Sequence, residues 1–385
     1  MTHREHIYAV LEGKKPVNMP FFPDITDWYS AARTPKGQER VWGAAQFIPD
    51  SEPFHTNPGT MPEKYREWTL FDFYRKNDWG FPVHIGDWFK KSYSGDVKVV
   101  TERKGRERHT HLVTPKGTIR HVDILASDGT WGPFEHYVKE MADLDIMQYV
   151  VEHTHFTPTY ENVLKLREQM GDWGEGDLVI FRSPFGKLVH MYMGFEKVIY
   201  ALFDDEKRIL DFMKVQEAKD MELVRLAAAC PGERLVIISD HADENLIAPN
   251  QYEEFCIPFY QKACQVLHDG NKFVSTHLDG NFKGYFPLIA KTGFDVLDGC
   301  TPAPMFNYEL EALAEAMGPN QKAFVGVPST LFCQKLPTEK LLTYADRVMT
   351  AFKGRGILNV GDILPPDGDI EQVIAVGEYV KKSWK

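Results

Sequence analysis

The sequence predicts an α/β fold in which helices cover a parallel β-sheet, and two regularities of its second half predict it. Short apolar runs typical of buried strands recur at residues 177–182, 234–239, 272–276, 294–298, 322–328 and 356–361. Helical patterns fill the intervals, at residues 195–229, 249–268, 281–291, 307–317, 336–353 and 369–383. Strand-then-helix repetition requires a parallel sheet with helices packed on it. A doubly wound sheet and a closed barrel both meet this requirement, although no GxGxxG motif follows any strand to favour a dinucleotide-binding fold.

The first half of the chain is less regular. Thr2 is an N-cap candidate with Glu5 at the capping-box spacing, which predicts a helix that ends at Gly13. Residues 17–24 form a short apolar run broken by prolines and suit a first strand. Residues 31–90 are rich in loops and aromatic side chains, and we expect two helices there, one of them near residues 63–77.

Residues 96–125 have a different character from the rest. They alternate β-branched and charged residues, with turn signals at Lys104-Gly105 and at Pro115–Gly117. This pattern predicts a β-hairpin or small meander that is exposed on one face. Because no internal repeat or low-complexity linker is visible, we expect one domain over residues 1–385 with this segment as an insertion.

Composition excludes several classes of protein. Of the 385 residues, 43% are hydrophobic and 26% charged, which is ordinary for a globular protein, and the net charge is −11. Nucleic acids and anionic membranes attract clustered Lys and Arg, so neither is an expected partner. The five cysteines include no CxxC pair, which disfavours a disulfide framework and a thiolate zinc cluster. With no signal-peptide pattern and no long apolar run, we expect a cytoplasmic protein.

Polar residues collect where the predicted strands end. In a parallel barrel, reactive groups come from this edge. The candidates are Asp24, Arg182, Asp240, His241, His277, Asp279 and Asp362. Each acid alone has a structural alternative as a helix cap, and each histidine as a satisfied core residue. Gathered at one barrel mouth, the acids would repel one another unless a proton, a metal or a cationic ligand offset their charge.

Aromatic residues are unusually frequent in the first ninety residues. Packing in the core explains most of them. The alternative is a pocket for a flat ligand, for which Phe22, Trp28 and Tyr29 are candidates. Phe185 follows the strand at 177–182, and Tyr192 lies in a segment whose helical spacing suits core packing equally well.

Three segments together resemble the uroporphyrinogen decarboxylase-like superfamily. They are Ile247–Tyr260 (IAPNQYEEFCIPFY), Val274–Gly280 (VSTHLDG) and Gly293–Asp298 (GFDVLD). Arg4-Glu5 and Gly13–Pro16 at the start of the chain also match. The resemblance implies a (β/α)8 TIM barrel over nearly the whole chain, with an N-terminal helical extension and the small β-hairpin insertion at about 96–125.

The resemblance also separates the branches of this superfamily. Decarboxylases carry a Met-Arg-Gln-Ala-Gly-Arg segment whose arginines hold substrate carboxylates, whereas this chain has the acidic, aromatic segment Phe21–Trp28 there. The thiol-methylating branch holds zinc through a His-x-Cys pair and a later Cys in Pro-Gly-Cys-Gly. This chain has Asp279 and Asp362 at the two cysteine positions. Hard carboxylates in place of soft thiolates disfavour activation of a thiol.

The branch that remains moves a methyl group from a small donor to the cob(I)alamin of a partner corrinoid protein. The resemblance therefore implies an O-demethylating methyltransferase, with an aryl methyl ether as the expected donor. We expect His277, Asp240 and His241 to be catalytic. Asp24, Arg182, Phe185, Tyr192 and the early aromatics would bind substrate. His277, Asp279 and Asp362 would hold a zinc ion, or His277 would instead act as a general acid.

Other functions stay open on the sequence. A decarboxylase of a tetrapyrrole or smaller acid would use Arg182 as a carboxylate clamp and His277 as the proton donor. A thiol-methylating methylcobalamin methyltransferase and a catalytically silent corrinoid-binding barrel are further alternatives. A homodimer is compatible with a barrel of this size.

Overall fold

A computed structural model describes residues 1–14, 18–36, 38–40 and 59–383. Val17 of the predicted first strand and Lys15-Pro16 of the N-terminal motif lie outside the described residues. The strands are β1 (Phe81–Ile85), β2 (Phe89–Tyr93), β3 (Lys98–Lys104), β4 (Glu107–Thr114), β5 (Gly117–Leu125), β6 (Trp131–Glu135), β7 (Thr154–Pro158), β8 (Gly174–Phe181), β9 (Leu235–Ser239), β10 (Phe273–His277), β11 (Val296–Cys300), β12 (Lys322–Pro328) and β13 (Gly356–Gly361).

The helices cover the central sheet and one end of it. They are α1 (His3–Leu11), α2 (Thr26–Arg33), α3 (Leu70–Asn77), α4 (Met141–Glu152), α5 (Tyr160–Met170), α6 (Pro184–Lys187), α7 (Phe195–Ala229), α8 (Pro249–Gln251), α9 (Ile257–Asp269), α10 (Phe286–Ile289), α11 (Leu310–Ala316), α12 (Thr338–Ala351) and α13 (Ile370–Ser383). No helix in the described ranges is long and apolar enough to cross a membrane.

The central sheet is parallel and closes into a barrel. Its strand order is β1-β8-β9-β10-β11-β12-β13. The segment around Phe21 supplies the eighth position, because Phe22 N donates to Leu358 O (2.8 Å) and Gly80 N donates to Phe21 O (3.0 Å). The (β/α)8 fold predicted from the sequence is thereby confirmed, although within the described residues the predicted first strand is reduced to an isolated β-bridge at Phe21.

The N-terminal helix closes one end of this barrel. Thr2 and Glu5 form the predicted capping box, and α1 begins at His3. Ile7, Val10 and Leu11 of α1 pack in one apolar cluster with side chains from the starts of the strands, namely Phe22, Leu235, Val296, Phe324 and Ile357. Because α1 covers the amino ends of the strands, the opposite end of the barrel is the one left for a site.

Two features of the first half differ from the sequence prediction. Strand β1 lies in a stretch where the sequence predicted loops and helices. The strand was not predicted because its five residues include Pro82, and proline disfavours a strand. The insertion is the meander rather than the hairpin of the prediction: β3, β4, β5 and β6 form a four-stranded antiparallel sheet, which extends beyond residue 125 to Glu135. Strand β6 reads WGPFE, and its Gly and Pro resemble a turn rather than a strand.

Candidate active site

The register of the parallel strands brings the predicted polar residues to one level. His277, the last residue of β10, lies opposite Asp298 of β11, and Thr276 lies opposite Ile238 of β9. Side chains alternate along a strand, so residues two apart face the same side. The site therefore forms at the carboxyl end of the barrel, around His277.

His277 is the centre of the cluster. Its Nδ1 donates to Asp298 Oδ2 (2.9 Å), while its Nε2 lies 3.4 Å from Asp362 Oδ2 and 3.7 Å from Asp279 Oδ1. The residue is only 8% exposed. Burial disfavours the charged imidazole, but the carboxylates of Asp362 and Asp298 outweigh it and raise the pKa of His277 well above its usual range. These two carboxylates therefore favour the imidazolium form of His277.

The pKa of Asp362 shifts in the opposite direction to that of His277. Burial acts to raise the pKa of Asp362, but the charge of His277 and its hydrogen bond outweigh burial and lower it. Asp362 thus stays ionised beside the imidazolium. The two groups form a buried ion pair at the barrel mouth, and Asp298 holds the ring from its other nitrogen.

His241 completes the cluster from the loop after β9. Its Nδ1 donates to Asp279 Oδ1 (2.6 Å), and its ring centroid lies 4.8 Å from that of His277. The ligand atoms of His241, His277 and Asp279 all lie within 4.8 Å of one another. The sequence prediction paired His277 and Asp279 with Asp362 as metal ligands. The structure instead groups them with His241, and Asp362 lies beside them.

Glycine at position 299 makes room for this arrangement. Gly299 has φ +70, and a Cβ there would meet the His277 ring at 2.8 Å from Cε1 and 2.9 Å from Nδ1. A side chain would therefore strain the backbone and press on the imidazole. The ring position of His277 depends on this glycine.

A polar cavity continues from Asp362 into the barrel. It is lined in part by Asp24, His84, Asp177, Ser275 and Asn359. Barrel interiors are usually filled by branched apolar side chains, so this layer is unusual. His84 donates from Nδ1 to Asp177 Oδ2 (2.9 Å), and this carboxylate, against the opposing effect of burial, raises the pKa of His84 to about 10.

Asp24 lies in the same cavity, as predicted for a residue at the end of the first strand. Its Oδ1 accepts hydrogen bonds from Thr26 N (2.8 Å) and Thr26 Oγ1 (2.6 Å). Burial raises the pKa of Asp24 in spite of these hydrogen bonds. One oxygen of this carboxylate therefore stabilises the turn that leads into α2.

Asp240 does not join the cluster, contrary to its predicted catalytic role. It is 1% exposed, and its carboxylate accepts from Ser183 N (3.1 Å) and from the Tyr260 hydroxyl. Both oxygens are thereby occupied by the loop after β8 and by α9. We interpret Asp240 as a positioning residue that fixes this loop, on which Arg182 lies.

The predicted aromatic substrate contacts are mostly in the core. Phe22, Trp28, Tyr29 and Phe185 are 0–5% exposed and offer almost no surface to a ligand in this conformation. Trp28 and Tyr29 pack edge-to-face on Phe73. The hydroxyl of the partly buried Tyr192 donates to Gln216 Oε1 (3.2 Å). The high frequency of aromatic residues near the start of the chain therefore reflects core packing.

Sequence reasoning missed three features of the site. His84 lies on the strand that was not predicted, so its pairing with Asp177 gave no signal. Asp298 was as readily explained as a helix cap. Phe181, which is 51% exposed at the end of β8, was passed over, although its spacing of four residues from Asp177 places both on the same side of the strand.

The fold and the site define a (β/α)8-barrel protein whose polar centre lies at the carboxyl ends of the strands. The family model for uroporphyrinogen decarboxylase (URO-D) matches residues 121–383, more than half of the chain. The protein belongs to the uroporphyrinogen decarboxylase family.

A solved methyltransferase structure supports the fold. A methyltransferase from Methanosarcina mazei matches with a TM-score of 0.62 and 14% identity, covering 100% of both chains. A B12-independent methionine synthase from Shewanella sp. W3-18-1 matches with a TM-score of 0.46 and 11% identity, covering 95% of this chain and 97% of the other. No protein with a curated description matches the sequence. At 14% identity, the similarity to the methyltransferase structure shows the fold alone.

Proposed function

We propose that this protein is a methyltransferase that moves a methyl group from a small donor, an aryl methyl ether, to the cob(I)alamin of a partner corrinoid protein. The observation that carries the proposal is the convergence of His241, His277 and Asp279 at the barrel mouth, with ligand atoms within 4.8 Å of one another. Family membership and the shared fold with a protein described as a methyltransferase support methyl transfer as the reaction class.

The residues present fit a zinc ion. Two imidazoles and one carboxylate form a known ligand set for catalytic zinc, which leaves a fourth position for substrate. Asp298 on Nδ1 of His277 is the outer carboxylate that commonly orients a metal-binding histidine. When bound, zinc would polarise the donor oxygen as a Lewis acid. His241, His277 and Asp279 would hold it, with Asp362 beside them.

The chain's own residues have two tasks in this reaction. The O–CH3 bond of the donor breaks, cobalt(I) supplies the electron pair of the new bond to the methyl group, and the departing aryl oxygen takes up charge and then a proton. If no metal is bound, the His277 imidazolium can donate this proton, and general-acid help of this kind is worth about 10²–10⁴-fold. As a zinc ligand, His277 would instead help to hold the Lewis acid. The barrel wall orients the donor and excludes water, which favours in-line transfer.

A thiol acceptor fits this site less well. Cys300 is the cysteine nearest the cluster in sequence, two residues after Asp298, and it is 1% exposed. Burial, with the nearby carboxylates of Asp298 and Asp362, raises the pKa of Cys300 well above its usual range, so it stays a thiol. Without thiolate ligands in the cluster, the electronic reason for activating a soft thiol is missing.

The direct test mixes the purified protein, supplied with zinc, with reduced cobalamin and a panel of donors. We expect loss of the cob(I)alamin absorption band and formation of methylcobalamin with phenyl methyl ethers. His277→Ala should abolish the conversion and a stoichiometric metal content, while His268→Ala, which alters a histidine bound to Asp295 outside the cluster, should leave both unchanged. If no donor yields methylcobalamin, the proposal is wrong. A corrinoid protein partner, a cytoplasmic location and a homodimer remain predictions.

A further inference from the structure

The inserted sheet exposes one long edge strand. Within the described residues, β3 pairs only with β4, so its other edge is not covered by a strand. All seven residues of β3 are exposed, including Val99 (45%) and Val100 (44%), whose side chains point to opposite faces. A strand at the edge of a sheet presents a row of unpaired N–H and C=O groups, which can pair with a strand of another chain.

The opposite edge of the same sheet is protected. Strand β6 is five residues long and includes Gly132 and Pro133. Proline has no N–H to donate and glycine weakens a strand, so both residues discourage pairing at an edge. Strand β3 contains neither residue, and the three residues 99–101 at its centre are β-branched, which favours a strand. The insertion therefore has one edge that suits the addition of a strand.

Hydrogen-bonding geometry restricts how β3 can pair with β3 of a second copy of the chain. In an antiparallel pair, the N–H and C=O groups that point to the neighbouring strand belong to alternate residues. The alternate residues that point away from β4 are the same in both copies, and these must lie opposite each other. A two-fold axis between the copies therefore passes through a residue of β3 and not between two residues.

An axis through Val100 gives a complementary pairing. It places Lys98 opposite Glu102 of the second copy, and symmetry repeats this ion pair on the other side of the axis. It also places Val99 opposite Thr101 and Val100 opposite itself. Opposite charges and β-branched residues are favourable cross-strand pairs. All five residues 98–102 of each copy then face a compatible neighbour.

The other registers of β3 are less favourable. An axis through Thr101 would place Lys98 opposite Lys104, and like charges directly opposite each other are destabilising. An axis through any charged residue of β3 would place that residue opposite its own copy. An axis through Val99 would place Lys98 opposite an apolar residue and form no ion pair within the strand. Charge complementarity therefore selects the register about Val100.

We infer that two copies of this protein associate through β3, antiparallel about Val100, and join their inserted sheets into one continuous sheet. This interface goes beyond the proposed function and does not depend on it. In the single chain Glu102 lies 3.1 Å from Lys104 Nζ, but both side chains are exposed, so exchanging this contact costs little. Because one strand buries less than the roughly 1,200 Å² of a standard interface, we expect a weak, concentration-dependent dimer.

The test is sedimentation velocity of the full chain at increasing protein concentration. The unaltered protein should show a monomer–dimer equilibrium. Lys98→Glu and Glu102→Lys should each weaken it by roughly tenfold, because each replaces two ion pairs by two like-charge pairs. The double variant, with both substitutions, should restore the dimer. Lys116→Glu, in the turn between β4 and β5, is the control and should associate as the unaltered protein does.

Restoration in the double variant would have to arise between chains. Within one chain, Lys98 and Glu102 are separated by four residues of a strand, about 13 Å, which exceeds the Debye length of about 8 Å at physiological salt. A protein that stays monomeric at every concentration overturns the inference. A dimer that the single substitutions leave unchanged, or that the double variant fails to restore, also overturns it.

A cross-link tests the position of the axis. Residues directly opposite each other in an antiparallel pair have Cα atoms about 4.5–5.5 Å apart, which is within the range of a disulfide. Val100→Cys should therefore form a covalent dimer in a mild oxidant much faster than Lys116→Cys, as measured by non-reducing gel electrophoresis. Equal rates for the two variants would contradict the register about Val100.

Discussion

Replacing Gly299 by alanine tests whether the position of the His277 ring matters. The new Cβ would lie 2.8 Å from the imidazole, and an ordinary van der Waals contact begins at 3.4 Å, so the ring must move by about 0.6 Å. Functional groups generally tolerate only about 0.5 Å of displacement. The left-handed backbone, with φ +70, adds roughly 1–2 kcal/mol of destabilisation for any L-residue.

Gly105 provides a matched control for this substitution. It has φ +63 in the turn between β3 and β4, and a Cβ there would meet nothing within 4 Å. Both Gly299→Ala and Gly105→Ala should therefore lower the free energy of unfolding through the left-handed backbone, and Gly299→Ala should lower it further because its Cβ also displaces the buried ring. Only Gly299→Ala should weaken zinc binding and slow methyl transfer, by roughly 10- to 100-fold. Urea unfolding, a chelator-competition titration and the cobalamin assay measure these quantities. Equal zinc affinity and equal rates in the two variants would refute the reasoning.

Three further predictions follow from individual contacts. Asp298→Asn removes the carboxylate on Nδ1 of His277 and should weaken zinc binding by about 10- to 100-fold in a competition titration; unchanged affinity would exclude an orienting role. Asp240→Asn leaves the Tyr260 hydroxyl and Ser183 N with a weaker acceptor and should lower the melting temperature while zinc content is retained; loss of zinc instead would place Asp240 in the cluster. Burial and the adjacent Glu233 carboxylate raise the pKa of Glu175 from 4.5 to about 8, so the native state binds more protons than the unfolded state between these values. The free energy of unfolding should therefore fall as the pH rises from 4.5 to 8, and it should fall less steeply in Glu175→Gln. If urea unfolding gives the same pH dependence for both proteins, this prediction is wrong.

The sequence predicted the parallel half of the fold well because its strands and helices follow each other with a regular period. The positions of His277 and Asp279 at a strand end followed from that period together with the family resemblance. Strand β1 escaped prediction because Pro82 and its five-residue length are atypical of a strand. His84 lies on this strand and was therefore not predicted as a site residue. Its partner Asp177 lies on another strand, 93 residues away.

Side-chain direction at the strand ends was the part that sequence patterns could not supply. Asp240 and His241 are neighbours, yet Asp240 packs under the loop after β8 and His241 reaches Asp279. The φ of 45° at His241 breaks the alternation by which direction is inferred within a strand. Aromatic frequency was likewise uninformative, because it does not separate the buried Phe185 from the exposed Phe181.

The most direct measurement compares single-turnover rates of methylcobalamin formation for the unaltered protein and for His277→Gln, with a phenyl methyl ether as donor and zinc supplied. Circular dichroism of both proteins would show that the barrel remains folded. We predict that the rate of methylcobalamin formation falls by at least about 10²-fold in a folded His277→Gln protein. A folded variant that forms methylcobalamin at the unaltered rate would contradict the assignment of this cluster as the reactive centre.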